Sequence, residues 1–155
     1  MTTDNRIGVL FVCLGNICRS PMAEGLLRKK VEERGLADRF DVDSCGTGSW
    51  HVGQDMDEGT RLVLRRHGAE FDFEARQLCE ADFERFRFVL AMDQHNVSVM
   101  RQRYPHLDHG QLHLVTAPVG GGAVPDPYGG RWREFQRVYH ILEPALDAWL
   151  LRWLD

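Results

Sequence analysis

The sequence predicts a small α/β fold: a four-stranded parallel sheet with helices on both faces. Three observations carry this. Apolar runs of strand length alternate with stretches whose apolar residues recur every three or four positions. The first run, IGVLFV at 7–12, is unbroken and rich in β-branched residues, as in a strand buried on both faces. The chain has 155 residues, enough to bury a real core, and fits a single domain spanning 1–155.

The elements follow in order. After the first strand, Ser20 and Pro21 read as the N-cap and first position of a helix whose buried side holds Met22, Ala23, Leu26, Leu27 and Val31, with Gly35 ending it. Residues 40–44 (FDVDS) alternate like a short edge strand, and the three glycines in 45–53 (CGTGSWHVG) demand a loop. Residues 57–67 are helical by pattern, closed by Gly68. FVLA at 88–91 is a third strand, followed by an N-cap at Asp93 and a helix to about Arg103. A weaker fourth strand covers 112–115. The Gly/Pro-rich segment 117–130 is too long for a mere connector and is suspect as functional. From Arg131 onward, Trp132, Phe135, Tyr139, Leu142, Leu146, Trp149 and Trp153 mark one amphipathic helix. Pro144 inside it implies a kink or a break.

Composition narrows the function. The chain is 43% hydrophobic and 27% charged, as in ordinary globular proteins, and its net charge of −4 argues against a broad nucleic-acid or anionic-membrane surface. No apolar run reaches the ~20 residues that span a bilayer. Asp4 interrupts the basic leader that a signal peptide would need. Four cysteines (Cys13, Cys18, Cys45, Cys79) in a chain this long read as free thiols in a reducing cytoplasm.

The chemistry concentrates in CLGNICRS, residues 13–20, just beyond the first strand. The paired cysteines are compatible with a disulfide, a metal site, a lipid anchor or an anion-holding loop; Ile17 before Cys18 disfavours the anchor. A Cys-x5-Arg spacing is weak by itself. Its setting is specific, because ligands of parallel sheets bind beyond the carboxyl ends of the strands. Gly15 and Asn16 tolerate left-handed backbone angles, so consecutive N–H groups can turn inward as an anion nest. The following helix start adds its positive end, and Arg19 a planar fork for two phosphate oxygens. Such a field favours a thiolate at Cys13, hence a nucleophile, and Ser20 can donate its hydroxyl to it. For a lone cysteine, burial at a strand end would be the better reading; the surrounding Gly, Asn, Arg and Ser-Pro argue against it.

CLGNICRSPMAE resembles the phosphate-binding loop of the low-molecular-weight protein tyrosine phosphatases. The resemblance continues through GTGSWHVG (46–53), HG (67–68), ARQL (75–78), AMD (91–93) and VPDPYGG (124–130), in the same order over nearly the whole chain. It implies a four-stranded parallel sheet flanked by helices and hydrolysis of phosphotyrosine through a phosphocysteine. In that scheme Cys13 is the nucleophile and Arg19 binds phosphate. Leu14, Gly15, Asn16, Ile17, Cys18 and Ser20 complete the loop, and Asp126 in VPDPY is general acid and then base. Proline on each side of Asp126 stiffens that segment. Trp50 and Tyr128 match the pocket walls that stack on a phenyl ring, although each could instead anchor its own loop. The resemblance also implies that Cys18 can pair with Cys13 in a disulfide that guards the nucleophile; simple loop packing is the alternative. No metal or cofactor is implied. The expected partners are a phosphotyrosine protein as substrate and inorganic phosphate as product, without nucleic acid or membrane, for a monomer or weak dimer in the cytoplasm.

Two positions depart from the pattern. Many members carry a histidine three residues before the ARQL arginine, where it helps hold the loop asparagine; here that residue is Phe73, and Asn16 must be held otherwise, by Ser44 or another hydroxyl. The second aromatic after the DPY tyrosine is Gly129, leaving that rim more open. Rival readings remain. An arsenate reductase needs relay cysteines, for which only Cys79 is available, and has Ser where Ile17 stands. An arginine phosphatase of the same family carries Thr there. A non-catalytic phospho-ligand module would need neither Ser20 nor Asp126. A zinc site from His106, His109 and His113 reads less well than surface and strand histidines.

Overall fold

The strand-forming runs assemble as expected, in a computed structural model that describes residues 5–107 and 109–155. Asp4 and the side chain of His109 lie outside the described residues. The chain runs β1 (Ile7–Cys13), α1 (Arg19–Glu33), β2 (Phe40–Gly46), α2 (Glu58–Arg66), α3 (Asp82–Arg85), β3 (Phe88–Ala91), α4 (Gln94–Arg103), β4 (Leu112–Leu114) and α5 (Trp132–Trp153). The four strands form one parallel sheet in the order β2-β1-β3-β4. With β1 buried on both faces, its alternate residues feed two cores. Val9, Phe11 and Cys13 face Met22, Leu27, Leu142 and Leu146 of α1 and α5. Leu10 and Val12 face Val97 and Met100 of α4. No helix among the described residues is long and apolar enough to cross a membrane.

Three local expectations need correction. Ser20 does not cap α1: the helix begins at Arg19 with Cys18 as N-cap and no side-chain cap bond, and Pro21 therefore sits at the third position. The Ser20 hydroxyl turns instead toward Cys13 and Asn16, whose stronger claim on it overrides the capping role. Pro144 does not break α5, which is continuous over Trp132–Trp153. Packing of Val138, Leu142, Leu146 and Trp149 against the core outweighs one missing backbone hydrogen bond. The short α3 had no counterpart in the sequence pattern.

In this strand order the chain's direction of winding reverses between β1 and β3, which opens a crevice beyond their carboxyl ends. The loop after β1 and the capping residue after β3 meet there.

Candidate active site

Residues 13–20 are pinned from several directions. The backbone beyond β2 continues along the loop, with Thr47 N–H donating to Cys13 O and Gly48 N–H to Leu14 O, each at 2.9 Å. On the other side, Asp57 N–H donates to Ile17 O and the Thr60 hydroxyl to Cys18 O. Gly46 permits this closeness: a Cβ there would stand 2.8 Å from Leu14 O and 3.0 Å from Gly15 C. At the apex, Asn16 has φ of 59°, the one non-glycine residue with positive φ among the described residues. Asparagine tolerates this angle better than most residues.

Asn16 is held without the histidine. Its Oδ1 accepts the Arg76 backbone N–H at 2.9 Å, while Nδ2 donates to Ser20 Oγ at 2.9 Å and Ser44 Oγ at 3.0 Å. Phe73, where a histidine was looked for, packs edge-on against Phe71. The Asn16 N–H points at Cys13 Sγ at 3.3 Å, and Ser20 Oγ lies 3.0 Å from the same sulfur. The Asn16 N–H and the Ser20 hydroxyl thus converge on a thiol that is 2% exposed.

Arg19, also buried, is anchored by Asp93 Oδ2 at 2.7 Å and by the Val124 carbonyl at 3.0 Å. Burial opposes ionisation of Asp93, but hydrogen bonds from Arg19 and the Asn96 amide outweigh it and hold its carboxyl below the usual range. Asp126 reaches the same place from the 117–130 loop, its Oδ2 3.8 Å from Arg19 Nη2 and its Oδ1 accepting the Tyr128 N–H. The Val124 N–H donates to Met92 O, tying that loop to the end of β3.

These groups open on a cavity of about 230 Å³ lined by Cys13, Leu14, Gly15, Ile17, Cys18, Arg19, Trp50, His51, Asp126 and Tyr128. Trp50 and Tyr128 are largely exposed, which fits cavity walls better than loop anchors. At Gly129 a Cβ would meet nothing within 4 Å, so that rim is open. His51 was missed from the sequence; its ring leans over Gly15 and packs against Tyr128. The two loop cysteines differ. Burial, then the nearby charge of Asp57, pushes the Cys18 thiol up, so it stays protonated at neutral pH. All four cysteines are free. Among the described residues no group of three or more His, Cys, Asp or Glu could hold a metal ion.

The profile of the low molecular weight phosphotyrosine protein phosphatases matches residues 8–154. The chain belongs to this family. A Schizosaccharomyces pombe low molecular weight phosphotyrosine protein phosphatase is 45% identical over 128 residues, covering 80% of this chain and 82% of the relative. The crystal structure of YfkJ from Bacillus subtilis superposes with a TM-score of 0.89 at 36% identity, covering 97% of this chain and 96% of that one. A drosophila arginine phosphatase structure has a TM-score of 0.86 at 30% identity, covering 95% and 98%. In this enzyme of the family, Cys13, Arg19 and Asp126 line one cavity.

Proposed function

We propose that this chain, as one catalytic domain, hydrolyses phosphotyrosine on protein substrates in a reducing cytoplasm, with Cys13 as nucleophile, Arg19 as phosphate anchor and Asp126 as general acid and base. The observation that carries the reading is the convergence of Cys13, Arg19 and Asp126 on one aromatic-walled cavity, with the Asn16 N–H and the Ser20 hydroxyl against the sulfur.

In the first step the Cys13 thiolate attacks phosphorus in line, forming an S–P bond as the P–O bond to the tyrosine ring breaks. Asp126, protonated, gives its proton to the departing phenolic oxygen. In the second step Asp126, now a carboxylate, takes a proton from water as that water attacks phosphorus. The S–P bond breaks, the thiolate is restored, and inorganic phosphate leaves. Arg19 and the inward N–H groups of the loop stabilise the equatorial oxygens throughout. Trp50, Tyr128 and Ile17 give the leaving group an apolar slot that favours an aryl phosphate over a phosphoserine. Cys18, kept as a thiol by burial, lines the same cavity as Cys13 and is the candidate partner for a protective disulfide.

The similarity to an arginine phosphatase supports a second reading, phosphoarginine hydrolysis on the same loop. The apolar Ile17 in the cavity wall argues for the aryl ester.

Turnover of p-nitrophenyl phosphate by Cys13→Ser tests the mechanism, with substantial remaining activity refuting it. Side-by-side turnover of phosphotyrosine, phosphoarginine and phosphoserine peptides decides the substrate class.

A further inference from the structure

One glycine beside the cavity is not required by its backbone. Gly48 lies in the loop after β2, where its N–H donates to Leu14 O at 2.9 Å, a bond that any residue except proline could make. Its φ is outside the left-handed region that Gly53 occupies at 87°. An alanine could follow the same path. What glycine supplies at 48 is room. A Cβ there would stand 2.8 Å from Trp50 Cη2 and nearer still to Cζ3 and Cε3, so the six-membered ring of the indole fills the space a side chain would take. Gly46 differs, because the space beside it is taken by the backbone of residues 14–16, which cannot swing aside.

Trp50 needs such a seat. It lines the cavity yet is 68% exposed, too little covered for burial to fix its ring. The other aromatic wall, Tyr128, has the His51 ring against it, 5.7 Å between centroids. Among the described residues Trp50 has no such ring partner, and its indole N–H makes no hydrogen bond.

We propose that Gly48 is a positioning residue that sets the preference for aromatic phosphate esters: carrying no side chain, it lets the Trp50 indole rest against the loop as a stacking wall. A side chain at 48 turns that wall away. The proposal deepens the reading above and rests on the cavity taking an aryl phosphate. The two parts of such a ligand are then held by separate devices. Arg19 and the loop N–H groups grip the phosphate, and the seated indole stacks on the ring. Residue 48 acts on the second device alone.

Gly48→Ala separates the two. Its methyl must displace the indole, which is exposed enough to swing without disturbing the core. Isothermal titration calorimetry with phenylphosphonate and with inorganic phosphate reads both devices without turnover. The expected result is phenylphosphonate bound roughly three- to tenfold more weakly than by wild type, the effect of one aromatic pairing, with phosphate affinity unchanged. KM for p-nitrophenyl phosphate rises by a like factor while kcat changes little. Trp50→Ala lowers phenylphosphonate affinity at least as far, and adding Gly48→Ala to it has no further effect. A role in shaping the loop through the Leu14 bond would instead lower both affinities and persist without the indole.

Phenylphosphonate and phosphate affinities falling together in Gly48→Ala overturn the proposal, as does a second full loss in the double variant or an unchanged phenylphosphonate affinity. The readout is binding, so the expected pattern supports the proposal even where wild type leaves phosphotyrosine peptides intact, an outcome that would sink the proposed function instead. Where Gly48→Ala does not fold, the double variant decides. Melting alongside Trp50→Ala supports the clash with the indole, and a double variant that also fails to fold overturns it.

Discussion

Asp93→Asn separates two jobs that one side chain performs. Asp93 caps α4, accepting the Asn96 N–H at 2.8 Å, and it anchors the Arg19 guanidinium at 2.7 Å. Asparagine caps a helix about as well as aspartate, so the variant keeps the first job and loses the charge of the second. Removing one partner of a fully buried ion pair costs about 3–5 kcal/mol. Arg19 is 4% exposed but Asp93 is 25% exposed, and Arg19 keeps the Val124 carbonyl, so the loss should be nearer to about 2 kcal/mol. In a chain of this size that is a fall of roughly 4–8 °C in melting temperature. Calorimetry at pH 7 measures it directly. Asp93 is held below its ordinary value of 3.8, so its contribution is present above that value and is lost as the pH falls through the folded value. The gap between wild type and variant should therefore close in acid. A variant melting within about 1 °C of wild type at pH 7 would refute the idea that Asp93 carries the buried cation.

Two further outcomes follow from the loop's geometry. Gly46→Ala places a methyl 2.8 Å from Leu14 O, a backbone atom that cannot swing aside, so phosphate affinity measured by competitive inhibition should fall at least tenfold while the sheet persists by circular dichroism. Asn16→Ala loses three side-chain hydrogen bonds and keeps an unfavourable φ of 59°, whereas Asn16→Gly loses the bonds alone. Urea midpoints should therefore rank wild type above the glycine variant and that above alanine, with about 1 kcal/mol separating the last two.

The fold was legible because its strong signals were local. The apolar run at 7–12, the capping aspartate before α4 and the periodicity of α5 each name an element without reference to the rest of the chain. The cysteine, arginine and aspartate of the site were legible for a different reason, as a motif and its companion segments. What could not be read was bonding that is long-range and carried by backbone. The Arg76 amide that holds Asn16 belongs to no residue type, so no substitution pattern could announce it. Asp93 was readable as a cap but not as the partner of Arg19, because the two meet only once β1 and β3 lie side by side. Ser20 misled in the other direction: its propensity says cap, and a thiol and an amide three-dimensionally close to it say otherwise.

Asn16 is tied to residues 4, 28 and 60 positions further along the chain. Cys13 is made early in synthesis, yet the loop around it cannot take its final hydrogen bonds until residue 76 has been made. A half-made chain therefore carries Cys13 in a loop that is still open. The cradle around Cys13 thus waits on a backbone amide made about half-way through the chain.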